Sequence, residues 1–151
     1  MRSDHESNLP PQFLQLRAAS LRHYLESGAA GNHLSLLRNF PAGCCKIASI
    51  FLLKLVRDLD GTSGFLVAGA KRGEATHAWA EVDAWIVDIA ADQFCDFTKP
   101  VLVACSSPWH DSWQEAVRFP YTSYGLLSGP HASEYADCLA WVSAHPAAGA
   151  P

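Results

Sequence analysis

The chain has 151 residues, about the size of one domain, and 49% of them are hydrophobic while only 17% are charged. This composition excludes intrinsic disorder, which needs low hydrophobicity and high net charge. The net charge is −4 without a cluster of basic residues, so we expect no nucleic-acid partner. The longest uncharged apolar run, residues 47–53, is far shorter than the roughly 20 residues that a membrane span needs, so we expect no membrane partner.

The amino terminus and the cysteine count both bear on localisation. The first residues, MRSDHESNLPPQ, lack the apolar segment of a secretory signal peptide. The chain has five cysteines, whereas a secreted disulfide framework favours an even number. We therefore expect free thiols in a reducing compartment. The chain is predicted to be cytoplasmic, or delivered without an ordinary signal peptide.

Helices are predicted where apolar residues recur with a helical period. We expect residues 1–9 and 146–151 to be mobile. A first helix opens at the prolines 10–11 and stops near Gly28, and a second, buried helix begins at Cys45 and runs to about Asp58. A final amphipathic helix is predicted over Ser133–Ala144.

Between the second helix and the last one, the pattern changes to strands and loops. The predicted strands are Gly64–Ala70, Thr76–Val82, Trp85–Ala90 and Pro100–Ala104, with a tight turn at Asp83-Ala84 joining the second and third. Residues 105–130 are rich in proline and glycine, which predicts loops with one helical turn near Asp111–Val117. The sequence therefore predicts a single α+β domain over 1–151, with N-terminal helices packed on a mostly antiparallel sheet.

Common patterns for phosphate, zinc and redox sites are missing from this sequence. It contains no GxGxxG, no GxxxxGK[ST], no HExxH and no CxxC. We therefore predict no bound metal and no cofactor. What remains is one constellation of residues that could carry chemistry, spread over three segments: FPAGCC, THAWAEV and DIAADQF.

Cys45 lies at the predicted start of a helix, two residues after Gly43. The free N–H groups and the positive dipole end of a helix amino terminus favour a thiolate and can also bind an oxyanion. A cysteine nucleophile is activated most strongly at such a position. The alternative is a small buried hydrophobe, because cysteine is among the most buried residue types. The neighbouring Cys44 is an alternative nucleophile.

His77 and Asp88 fall on two consecutive strands of the predicted hairpin. A cysteine nucleophile needs an imidazole beside its sulfur and a carboxylate on the other ring nitrogen. The two side chains share a face of the sheet only if the register of the hairpin allows it. Alternatively, His77 is a hydrogen-bonded core histidine and Asp88 a residue that caps a turn.

The segments that contain these residues resemble those of papain-like and transglutaminase-like cysteine enzymes. GCCKIAS, residues 43–49, is similar to the G-x-C-x-x-x-S of the papain-like active-site helix, and HAWAEV followed by AWIVDIA resembles two transglutaminase-like strands. The resemblance covers residues 39–94 and keeps the superfamily order of Cys, His and Asp. It implies a papain-like or transglutaminase-like core, with Cys45 as nucleophile, His77 as general base and Asp88 as orienting carboxylate.

The resemblance also implies an oxyanion hole, and the sequence departs from the family pattern at two positions. Papain-like enzymes place an amide side chain six positions before the nucleophile, which here is Asn39, shorter than the usual glutamine. Independently of the resemblance, the position of Gln93 makes it a second oxyanion donor or a turn residue. Lys46 replaces the aromatic residue that follows the papain nucleophile, and Ala90 replaces the threonine that follows the transglutaminase aspartate.

Together these features predict a cysteine-dependent hydrolase or acyl-transfer enzyme that acts on an amide carbonyl, as a peptidase, deamidase or amidase. The expected substrate is a protein, a peptide or a small acyl amide. Two other classes stay open: a non-catalytic binding domain on the same fold, and a metal site drawn from Cys44, Cys45, His77, Asp88 or Cys95. The sequence does not determine the oligomeric state.

Other candidate residues receive simpler interpretations. The segment 106–120, rich in tryptophan and proline, is predicted to form one side of a substrate groove. His110 lies in this segment, and we expect it to be solvated. Cys95, Cys105 and Cys138 are interpreted as structural thiols.

Overall fold

The structure, a computed structural model, describes residues 9–27, 40–71, 75–120 and 130–146. These residues form four α-helices and a five-stranded sheet, which confirms the α+β prediction. The helices are α1 (Gln12–Glu26), α2 (Cys45–Asp60), α3 (Pro108–Asp111) and α4 (Pro130–Ala144). The strands are β1 (Gly64–Lys71), β2 (Ala75–Val82), β3 (Trp85–Asp88), β4 (Leu102–Ala104) and β5 (Gln114–Pro120).

The strands lie in the order β4-β3-β2-β1-β5, and every pairing in this sheet is antiparallel. The predicted helices before β1 and after β5 are present, and so are the four predicted strands, with ends shifted by one or two residues. β2, which carries His77, is the central strand, so its backbone is paired on both sides.

The β2–β3 hairpin determines which side chains share a face. Asp83 and Ala84 have φ angles of 50° and 65°, as in a type I′ turn, whose twist suits a two-residue hairpin. The register pairs Ala80 with Val87, so Asp88 lies one step further along, opposite Trp79. Because side chains alternate along a strand, His77 and Asp88 are diagonal neighbours on one face.

The two faces of the sheet bury different clusters. Helices α1, α2 and α4 pack together on one face, and α2 lies against β2. This main core contains Leu14, Leu21, Phe51, Leu52, Leu55, Val56, Leu66, Ala80, Val82 and Val87, all of them buried. The opposite face carries a smaller cluster of Val67, Trp79, Ile86 and Trp113. Each large apolar side chain buried in this way stabilises the fold by about 1.5–3 kcal/mol.

The segment after β4 differs from its prediction. The helical turn expected near Asp111–Val117 is wrong: the turn comes earlier, as α3, and is capped by the Ser107 side chain, which accepts a hydrogen bond from the His110 backbone N–H. Most of the expected turn belongs instead to β5, which pairs with β1. Pro120 ends β5, an edge strand, where a missing N–H is tolerated.

Some expectations concern parts of the chain without a described conformation. The predicted mobility of the termini falls mostly on residues 1–8 and 147–151, which lie outside the described residues, as do 121–129 within the predicted loop. Within the described ranges, no helix combines the length and the apolar character needed to cross a bilayer.

Gly69 allows the close approach of β1 to Trp113. It pairs with His77 across the sheet, at the point where the β1–β5 register shifts. A Cβ at this position would lie 2.8 Å from the Cβ of Trp113. We expect Gly69→Ala to lower the free energy of unfolding by about 1–3 kcal/mol, measured by urea denaturation. An unchanged midpoint would show that Trp113 moves aside without cost.

Candidate active site

Cys45 is the first residue of α2, at the amino terminus of a 16-residue helix. Gly43, with φ of 68°, turns the chain into the helix, a conformation that glycine adopts without strain. The half-buried Cys45 thiol interacts with the His77 side chain and the Ala78 backbone. Burial alone would raise the pKa of this thiol, but the hydrogen bond and the positive charge of His77 hold the pKa below its ordinary value.

The His77 ring is shared between the cysteine and a carboxylate. Its Nε2 lies 2.6 Å from Oδ2 of Asp88, which leaves Nδ1 as the ring nitrogen available to Cys45. Burial alone would lower the pKa of His77, but the hydrogen bonds to Asp88 and Cys45 raise it to about 9. The arrangement therefore shifts the pair towards an imidazolium beside a thiolate.

Asp88 lies at the end of β3 and is 1% exposed. Its Oδ2 accepts hydrogen bonds from Nε2 of His77 and Nε2 of His110, and its Oδ1 accepts one from the Ala90 backbone N–H at 2.9 Å. Burial alone would raise the pKa of this carboxyl, but the hydrogen bonds from His110 and His77 lower it to about 2. Asp88 is therefore a buried anion with a donor on each side.

Gln93 connects the cysteine loop with the histidine. It ends the 3₁₀ turn Ala91–Gln93, and its Oε1 accepts a hydrogen bond from the Gly43 backbone N–H at 3.2 Å. Its Nε2 donates to the Ala90 carbonyl at 3.1 Å and lies 3.4 Å from Nδ1 of His77. When Nδ1 is protonated it cannot accept a hydrogen bond, so the second amide hydrogen is available to a substrate oxygen. Asn39, the other predicted oxyanion donor, lies outside the described residues.

A partly buried ion pair fixes the turn that carries Gln93. The guanidinium of Arg22, on α1, contacts both carboxylate oxygens of Asp92 at 2.6 and 2.8 Å and the Ile89 carbonyl at 2.8 Å. Two parallel contacts orient a carboxylate more strictly than one. Nothing in the sequence distinguishes Arg22 from a solvated helix residue, so sequence reasoning missed it.

Aromatic rings enclose His77 on several sides. The ring centroids of Trp79, Phe94, Trp109 and Trp113 lie 5.2–5.7 Å from that of His77. Trp109 and Trp113 come from the segment 106–120, which therefore lies against the catalytic candidates. Such an apolar surround strengthens the attraction between the charged groups inside it.

The neighbouring thiols differ from Cys45 in their surroundings. Cys44 is buried in the main core, and its Sγ donates to the Ala42 carbonyl at 3.2 Å. The thiol that interacts with His77 is that of Cys45. Cys95 and Cys105 are exposed free thiols, and their interpretation as structural thiols stays a prediction. Cys138 is buried, which raises its pKa to about 12.

His110 was expected to be solvated, and that expectation was wrong. The side chain is 3% exposed and lies between Asp88 and Ser107. Its burial depends on α3 folding back against β3, a contact between distant parts of the chain. The one local signal is the Ser-Pro pair at 107–108, which is typical of a helix start.

His77, Asp88 and His110 also form a possible set of metal ligands, since their ligand atoms lie within 4.8 Å of one another. In a tetrahedral zinc site, two ligand atoms each about 2.0–2.1 Å from the metal are separated by about 3.3 Å. Here the two nitrogens lie 2.6 and 2.7 Å from the same carboxylate oxygen, distances that fit direct hydrogen bonds. Cys44 and the exposed Cys95 are not members of this set.

Comparison of the chain with protein-family models, with curated proteins and with solved structures gave no significant match. The resemblance of residues 39–94 to papain-like and transglutaminase-like enzymes therefore stays a prediction.

Proposed function

We propose that the chain is a cysteine-dependent hydrolase or acyl-transfer enzyme that acts on an amide carbonyl, built on a papain-like or transglutaminase-like core. The observation that carries the proposal is that the Cys45 thiol, at the start of α2, interacts with the His77 ring, whose Nε2 lies 2.6 Å from the buried Asp88 carboxylate. A nucleophile, a base and a group that orients the base form the constellation needed for covalent catalysis.

The reaction follows from the roles of these groups. The Cys45 thiolate attacks the carbonyl carbon, and the oxyanion that forms accepts hydrogen bonds from the N–H groups at the start of α2 and from Gln93. His77 donates its Nδ1 proton to the departing amine, the C–N bond breaks, and an acyl-thioester remains on Cys45. His77, now neutral, takes a proton from water or from a second amine, which attacks the thioester and releases the thiolate.

The substrate we propose is a protein, a peptide or a small acyl amide. Cys45 is only half-buried, so a carbonyl group can approach it from solvent, whereas His77 and Asp88 are enclosed. Peptidase, deamidase and amidase reactions share these steps and differ in the amine that leaves.

Alkylation at pH 6.5 tests the proposal in the Cys95→Ser/Cys105→Ser protein, which lacks the two exposed thiols. An ordinary thiol with a pKa near 8.5 is about 1% ionised at this pH. Because the pKa of Cys45 is lowered, we expect iodoacetamide to modify it on the order of 10-fold faster than an ordinary thiol, after allowance for the weaker nucleophilicity of a low-pKa thiolate. Mass spectrometry of partly labelled protein identifies the modified residue.

The matched control is His77→Ala in the same background, because it removes the imidazolium and leaves Cys45 in place. We expect alkylation of Cys45 in that variant to slow to the ordinary rate. If Cys44 is labelled first, the nucleophile lies one residue earlier. If all remaining cysteines react slowly and alike, the proposed enzyme function is wrong.

A further inference from the structure

His110 contacts the same carboxylate oxygen as His77. Its Nε2 lies 2.7 Å from Oδ2 of Asp88, and its Nδ1 lies 2.6 Å from Oγ of Ser107. The ring also packs edge-on against Trp79 and Trp109, with both pairs of centroids 4.8 Å apart. His110 is therefore held by hydrogen bonds at both ring nitrogens and by aromatic contacts.

The direction of each hydrogen bond follows from the donors and acceptors present. An ionised carboxylate only accepts, so both histidines donate their Nε2–H to Asp88. We assign Nδ1 of His110 as an acceptor, which receives the Ser107 hydroxyl hydrogen. The Ser107 oxygen in turn accepts the His110 backbone N–H at 3.3 Å. Every polar atom in this group then has a partner, as buried polar groups require.

We propose that His110, oriented by Ser107, is a positioning residue for the cysteine chemistry, acting through Asp88 rather than on the substrate. This inference rests on the proposed function, because it assigns His110 a part in the same site. By donating to Oδ2, His110 keeps the buried carboxylate ionised and fixes the oxygen that His77 uses. Without His110, the carboxylate is held only by the Ala90 N–H at Oδ1 and by His77 itself at Oδ2, so its orientation towards His77 is fixed less strictly.

Two pairs of variants separate the effect of the hydrogen bond to Asp88 from the effect of side-chain size. His110→Phe keeps an aromatic ring but has no donor, whereas His110→Gln keeps an amide N–H near the position of Nε2. We expect His110→Phe to slow Cys45 alkylation at pH 6.5 and to lower kcat/KM by roughly 10-fold, the lower end of the loss that follows removal of the hydrogen-bond partner behind a metal-binding histidine. His110→Gln should recover most of that loss at a similar Tm.

The second pair keeps the histidine and changes only its support. Ser107→Ala removes the hydroxyl that fixes the His110 tautomer, and Ser107→Thr retains a hydroxyl at the same atom. We expect a loss of several-fold in Cys45 alkylation with alanine and little change with threonine. This pair keeps the test informative if His110→Phe fails to fold. Equal rates in all four variants would overturn the proposal.

A double-mutant cycle tests whether His110 acts through Asp88. If it does, His110→Phe causes no further loss of Cys45 alkylation in an Asp88→Asn background, because the residue through which it acts is already impaired. If the two losses multiply, His110 acts independently and the proposal is overturned. A merely structural role predicts the multiplied result together with a lowered Tm.

Spectroscopy of the wild-type protein separates the failure of this inference from that of the proposed function. A long-range ¹H–¹⁵N spectrum should show the proton of His110 on Nε2, and a proton on Nδ1 with a bare Nε2 would overturn the inference. Stoichiometric zinc that is lost in His110→Phe would also overturn it, in favour of a metal site. Ordinary alkylation of wild-type Cys45 would overturn the proposed function, whatever the tautomer of His110.

Discussion

Cys45→Ala should show no detectable turnover while folding and melting like the parent protein. The thiolate makes the bond that defines the proposed reaction, and loss of a nucleophile costs on the order of 10⁴-fold or more in kcat. Stability should change little, because Cys45 is half-buried and its removal leaves no large cavity. A thermal melt and a p-nitrophenyl acetate burst assay, measured on the same preparation, check both halves of the prediction.

Cys44→Ala is the matched control for this variant. Cys44 is 1% exposed and packs in the main core, so its truncation should lower stability by about 1 kcal/mol while turnover persists. The opposite pattern, an active Cys45→Ala and an inactive, well-folded Cys44→Ala, would move the nucleophile by one residue. Fast alkylation of Cys45 without turnover on any amide or ester would favour the non-catalytic binding domain.

Local patterns were sufficient to predict most of the framework of the site. The apolar spacing after residue 45 predicted α2 and placed Cys45 at its start, and the turn signal at Asp83-Ala84 predicted the hairpin. The register of that hairpin follows from a two-residue turn, and it brings His77 and Asp88 to one face. These features depend on residues close together in the chain, which is why the sequence predicts them.

The features that sequence reasoning missed all depend on distant contacts. β5 pairs with β1 across more than forty residues of chain, and its own sequence contains a proline and few strong strand formers. Arg22 meets Asp92 only because α1 packs over the turn after β3. His110 becomes buried through the same kind of tertiary contact. Local propensity carries no information about any of these contacts.

Asp88→Asn should fold and lose on the order of 10–10³-fold in activity and in Cys45 alkylation at pH 6.5. The amide NH₂ can donate to Nε2 of both His77 and His110, which forces each ring to carry its proton on Nδ1. His77 is then neutral and cannot accept the Cys45 proton. The same substitution in a serine triad costs about 10⁴-fold in kcat. The loss should be smaller here, because a thiol that is already partly ionised depends less on the carboxylate that orients the histidine.

The pH dependence of the Asp88→Asn variant gives the sharper test. In the parent, the pKa of His77 is raised from 6.5 to about 9, so the imidazolium needed for amine departure persists until pH rises through about 9. Removing the Asp88 charge lowers that pKa, so the decrease of kcat/KM at alkaline pH should begin at a lower pH.

The stability of the same variant should respond at the acid end. The pKa of Asp88 is about 2 in the folded state against 3.8 ordinarily, so its contribution is present above pH 3.8 and lost as pH falls through about 2. The free energy of unfolding of the asparagine variant should therefore lack the decrease that titration of Asp88 causes at low pH.

A well-folded Asp88→Asn protein whose kcat/KM decreases at the same alkaline pH as the parent, and whose Cys45 alkylation is undiminished, would remove Asp88 from the site. An aggregated variant whose folded fraction keeps its Cys45 reactivity would make Asp88 a structural residue only.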